Sequence, residues 1–102
     1  MKTIDELLIR ARDVTNYYLN SGSRWTNESQ MLKIYEECAE FQNSKTPLEN
    51  LEEGCDIIYS VLTYWHLCEF NDYAIKEALE STMKKIETRA GKYGLLYSNR
   101  KG

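Results

Sequence analysis

The chain has 102 residues, 42% of them apolar, a length that makes one domain with a modest core. A net charge of −3 and a pI of about 5.2 exclude the basic face of a non-specific nucleic-acid binder, though not a small phosphorylated ligand held by a metal and a few basic side chains. No apolar run approaches the ~18 residues of a membrane span, and the charged start Met1–Arg10 does not read as a signal peptide.

One proline and five glycines punctuate a chain in which apolar residues recur at helical spacing almost throughout. Thr3 and Glu6 have capping-box spacing and open a first helix. Its inner face is expected to be Ile4, Leu7, Leu8, Ala11, Val14, Thr15 and Tyr18. Asn20–Trp25 reads as a loop. A second helix starts near Thr26 or Asn27 and runs to about Asn43, with Met31, Ile34, Cys38 and Phe41 as its stripe. Thr46, Pro47 and Glu49 give the clearest start signal, for a third helix ending around Phe70. Leu51, Cys55, Ile58, Leu62 and Trp65 are its expected inner stripe. Asn71 caps a fourth helix running to about Lys92, with Ile75, Leu79, Thr82, Ile86 and Ala90 inward and a fraying tail from Gly91. Short connections leave neighbouring helices antiparallel, so the expected fold is all-α, an antiparallel four-helix bundle in a single domain over residues 1–102. Eight tyrosines, each with an apolar body and a polar tip, point to subunit interfaces and hence to a homodimer or homotetramer. Cys38, Cys55 and Cys68 form no CxxC pair and are expected as buried thiols in a reducing cytoplasm.

Chemistry concentrates in the carboxylates. Glu36, Glu37 and Glu40 fall within roughly 100° of arc on the second helix, as do Glu49, Glu52, Glu53 and Asp56 on the third. Two acidic arcs on consecutive, antiparallel helices can face each other. Glu37 with Glu40, and Glu53 with Asp56, then form two jaws, which repel unless a cation sits between them. Mg²⁺ takes such hard oxygen ligands. A solvated acidic face is the ordinary reading of three glutamates on one helix. Here the same side of the third helix becomes apolar further on, which places the acids at the mouth of something covered. Lys33 shares the arc of Glu36, Glu37 and Glu40 and is expected chiefly as their ion-pair partner.

Glu36-Glu37-Cys38-Ala39-Glu40, then twelve intervening residues, then Glu53-Gly54-Cys55-Asp56, resembles the EExxE…ExxD signature of the MazG-like nucleoside-triphosphate pyrophosphatases. Lys33 matches the KxxEE form of that signature, and Lys84–Arg89 is similar, more loosely, to the basic segment of the family's last helix. The resemblance covers the second and third helices and no specific part of the first. It implies hydrolysis of a nucleoside triphosphate to the monophosphate and pyrophosphate, by metal-activated water attacking the α-phosphorus. Mg²⁺, with Mn²⁺ as the alternative ion, would be held by Glu37, Glu40, Glu53 and Asp56. Glu36 would be the supporting catalytic acid that orients water. Lys33, Lys85 and Arg89 are the candidates for phosphate contact. The last-helix segment lacks the aromatic, Asn-containing run usual in the family; of the side chains that can stack on a base, Trp25, Tyr59, Tyr64 and Trp65, the candidates for base contact are Trp25, in a loop, and Tyr59. His66, the sole histidine, has apolar neighbours and reads as a packed side chain. A carboxylate di-iron bundle is disfavoured, because no helix carries Glu-x-x-His. The rival reading is a non-catalytic helical module that binds nucleotide or protein. Neither reading involves a stable nucleic-acid partner or a membrane.

Overall fold

A computed structural model describes the backbone of residues 3–101 and the side chains of residues 3–90. The fold is all-α, with α1 (Ile4–Asn20), α2 (Asn27–Gln42), α3 (Pro47–Leu67) and α4 (Asp72–Lys101), and no strand among the described residues. No helix among them is long and apolar enough to cross a membrane. The chain divides into two compact units, Met1–Asp72 and Tyr73–Gly102.

The first unit is built on α3, against which both α1 and α2 pack. Its helix starts follow from local chemistry. The Thr3, Thr26 and Thr46 hydroxyls accept from the N–H groups of Glu6, Ser29 and Glu49 at 3.3, 3.0 and 3.1 Å, each satisfying a donor the first helical turn leaves free. Ser29 returns the bond to the Thr26 N–H at 2.9 Å, completing a capping box with serine in the usual Glu/Gln position. Asn43–Thr46 turns α2 into α3, and Pro47 enters at the first helical position, where its missing N–H costs nothing.

Helix α3 stops at Leu67 rather than near Phe70. The Glu69 N–H donates to the His66 carbonyl at 3.0 Å and the Phe70 N–H to the Trp65 carbonyl at 3.1 Å. This is a Schellman stop, with Glu69 at φ 68° in the left-handed position glycine usually takes. Glycine or asparagine would have signalled it in the sequence, and Glu69 is neither.

The faces differ from expectation in an ordered way. In α1, Leu8, Ala11 and Thr15 are buried, while Ile4, Leu7, Val14 and Tyr18 are exposed. In α2, Gln30 and Glu37 are buried, Met31 and Ile34 half-buried and Phe41 exposed, with Glu37 in the place expected of Cys38, which is exposed. In α3 the buried residues are Ser60, Thr63 and His66, whereas Leu51, Cys55 and Ile58 are exposed and Leu62 and Trp65 half-buried. The reason is that α2 takes one side of α3, at Glu53 and Gly54, and α1 another, at Tyr59 and Leu62. The strip between them is left uncovered. The three cysteines are free, but Cys38 and Cys55 are exposed and Cys68 half-buried, against the expectation of buried thiols.

Past α3, the chain is pinned to α1 by Arg12. Its guanidinium donates to the Asp72 carboxylate at 2.7 and 3.2 Å and to the Phe70 carbonyl at 3.0 Å. His66 lies beneath, its side chain 2% exposed, with Nε2 3.6 Å from Asp72 and neither ring nitrogen hydrogen-bonded. Burial, and next the nearby Arg12 charge, push the His66 pKa down. The Arg12 hydrogen bond likewise holds Asp72 below its ordinary value.

The pH dependence follows. The unfolded chain protonates its histidine near the ordinary 6.5, before the folded one does, so acid favours unfolding from there downward. Asp72 adds a second loss once pH falls through its ordinary 3.8 towards its lowered folded value. The melting temperature is therefore expected to fall between pH 7 and 5, and His66→Gln to flatten that limb. A wild-type profile already flat across this window would contradict the assignment.

The second unit is α4. It starts directly after Asn71, and its backbone is helical to Lys101, beyond the expected end near Lys92. Of its expected inner face, Ile75 is buried and Leu79, Thr82, Ile86 and Ala90 are exposed. A single helix has no partner within its own unit to cover a stripe.

Candidate metal centre

The α2–α3 hairpin brings two acidic faces together at its middle. One carboxylate oxygen from each of Glu37, Glu40 and Glu53 lies within 4.8 Å of the others. Gly54 eases that approach, because a β-carbon there would stand 3.3 Å from the Phe41 ring and push it back by a few tenths of an ångström. A mid-helix glycine costs about 1 kcal/mol relative to alanine. Here it lets Phe41 pack onto the α3 backbone, one residue along from both Glu40 and Glu53. The sequence reading assigned Gly54 no role, and its place inside the Glu53–Asp56 spacing was the available clue.

The three carboxylates are not equivalent. The Glu37 side chain is 6% exposed and its Oε1 accepts from the Lys33 ammonium at 2.9 Å. Its Oε2 is buried with no hydrogen-bond partner, and so is Glu53 Oε2. Glu40 is exposed. Buried acceptors left unpaired cost free energy, so two in one cluster are an unmet demand for positive charge or a donor.

The electrostatics agree. Burial, followed by the hydrogen bond and charge of Glu40 and then the charges of Asp56 and Glu37, pushes the Glu53 pKa up. The Lys33 pKa is raised chiefly by its hydrogen bond to Glu37. One cation thus partly balances the pocket from the α2 side, leaving the α3 side uncompensated.

Asp56 lies outside the 4.8 Å group and is exposed, although its charge reaches Glu53. Glu36 is exposed and stands 3.9 Å from Lys33. Lys33 is engaged by both acids, which is the ion-pair role expected of it. Lys85 and Arg89 are exposed on α4, in the second unit. Trp25 is half-buried, its ring 5.1 Å from that of Tyr18. Tyr59 lines a groove between α1 and α3, whereas the carboxylates lie between α2 and α3. The acidic set therefore assembles within one hairpin, and the two aromatic candidates do not join it.

A three-carboxylate pocket of this kind suits a hard divalent cation with water completing its shell. No family model matches the chain, and no curated protein or solved structure is significantly similar to it.

Proposed function

We propose that the chain is a divalent-cation-dependent nucleoside-triphosphate pyrophosphatase, cleaving its substrate to the monophosphate and pyrophosphate. The observation that carries the reading is the pair of buried, unpartnered oxygens, Glu37 Oε2 and Glu53 Oε2, within a three-carboxylate cluster. The residues fit Mg²⁺ or Mn²⁺, with Glu37, Glu40 and Glu53 as ligands and Asp56 joining from the next turn of α3. When bound, the cation neutralises phosphate charge and lowers the pKa of water.

Each side chain then has a task. Lys33 holds the Glu37 carboxylate in place through their 2.9 Å ion pair. Glu36, exposed and 3.9 Å from Lys33, is the supporting acid that orients water. The spacing of Glu36, Glu37, Glu40, Glu53 and Asp56 supports this reaction over other cation chemistry.

The test is pyrophosphate release from a panel of canonical and modified NTPs and dNTPs, with Mg²⁺ or with EDTA. Release that requires the metal is expected. A second reading, a non-catalytic module that binds nucleotide or protein, draws on the exposed position of Asp56 outside the cluster. It would be favoured by binding without turnover on every nucleotide.

A further inference from the structure

The corner after α3 combines three features that the metal centre does not use. Its turn holds Glu69 at φ 68°, a conformation that strains any residue with a β-carbon. Its aromatic residue gives little anchorage, since Phe70 is 50% exposed. What ties the corner to α1 is the Arg12 guanidinium, which donates to the Phe70 carbonyl and, through two N–H groups, to a single oxygen of Asp72. Under that oxygen lies the chain's one histidine. His66 Nε2 stands 3.6 Å from the same Asp72 Oδ1, beyond hydrogen-bond reach, and both ring nitrogens are buried without a partner.

We propose that this corner is a proton-operated latch, in which protonation of His66 draws the Asp72 carboxylate away from Arg12 and frees residues 68–72 from α1. A neutral imidazole has one N–H, whereas the protonated ring has an N–H on both nitrogens. In that state Nε2 faces an oxygen that already accepts two bonds from Arg12. Facing His66 are Arg12 from α1 and Asp72 at the start of α4. Helix α2 meets α3 at Glu53 and Gly54, about three turns earlier, and brings no charge to the ring. Arg12 keeps its charge at every working pH, so two cations then compete for one carboxylate. When Asp72 turns to His66, Arg12 loses its carboxylate, and its bond to the Phe70 carbonyl goes with it. Glu69 can then leave its left-handed conformation, which opens the turn bonds from the Glu69 and Phe70 N–H groups. Asp72 closes the first compact unit and Tyr73 opens the second, so the latch sits on the joint of the chain between them. The inference goes beyond the metal centre and does not depend on it.

The test is amide hydrogen exchange on the full chain at pH 7 and pH 5, corrected for the intrinsic rate, with and without low urea. An opened corner returns His66 to its ordinary 6.5, above the value of the buried ring. Each pH unit below 6.5 therefore favours opening by up to about tenfold, until the buried ring also titrates. Protection of the Glu69 and Phe70 amides is expected to fall on the order of tenfold from pH 7 to pH 5. The opening should be insensitive to low urea, as a local event is, while amides of the α2–α3 hairpin stay better protected. His66→Gln should hold the corner's protection level across this range, and Arg12→Met should lower it at both pH values. Should His66→Gln fail to fold, the wild type decides. Nuclear magnetic resonance of its single histidine must then give the same midpoint as the loss of corner protection. Constant protection at Glu69 and Phe70 between pH 7 and 5 would overturn the proposal. So would a loss with the urea dependence of the hairpin amides, which marks global unfolding, or a loss that persists in His66→Gln.

Discussion

Glu53→Gln is expected to lower metal-dependent pyrophosphate release by more than 100-fold and, at the same time, to raise the melting temperature of the metal-free protein. The two signs share one cause. Residues that merely orient metal ligands cost 10- to 100-fold when removed, so a direct ligand should cost more. Without metal, however, the Glu53 charge is a burden. Its folded pKa lies above its unfolded one, so ionisation of Glu53 favours the unfolded chain at every pH above the unfolded value. Glutamine keeps the shape and removes the charge beside Glu40 and Glu37. Millimolar Mg²⁺ should raise the melting temperature of wild type and leave that of the variant unmoved. Glu77→Gln, exposed on α4, is the control and should match wild type in all three measurements. An unchanged rate in Glu53→Gln would remove Glu53 from the metal centre. A metal-free variant less stable than wild type would mean that the carboxylate has a partner other than its acidic neighbours.

The largest effect on stability is expected at Leu8. It is fully buried, in a unit whose only other buried hydrophobic residue among those described is Ala11. Leu8→Ala should cost about 2–5 kcal/mol through lost transfer free energy and the cavity left behind. Against the roughly 5–15 kcal/mol that holds a domain together, this approaches the whole margin. Urea denaturation at one fixed protein concentration measures it, the fixed concentration keeping any association constant between variants. Leu32→Ala is the comparison. That side chain is 63% exposed, and its loss should fall within about 0.5 kcal/mol of wild type. A cost under 1 kcal/mol at Leu8 would show that α1 is not held on α3 through this residue.

What the sequence by itself determined is local. Helix starts were legible because Thr3, Thr26 and Thr46 act on N–H groups three residues away, whatever lies elsewhere in the chain. The all-α class was legible because helical periodicity is a property of neighbours. The meeting of Glu37, Glu40 and Glu53 was legible because it needs only one four-residue turn between two capped helices.

Only the tertiary structure decided which side of each helix is covered. The Leu51–Ile58 stripe is the more apolar face of α3, yet burial there went to Ser60, Thr63 and His66. Glu37 took an inward place on α2 that periodicity would assign to Cys38, next to the point where the Phe41 ring meets α3 at Gly54. The corner after α3 rests on Arg12, which is 60 residues from Asp72 in sequence. Periodicity gives the direction of an apolar face. What stands opposite that face depends on where the other helices come to lie, and those positions are set by contacts between residues far apart in the chain.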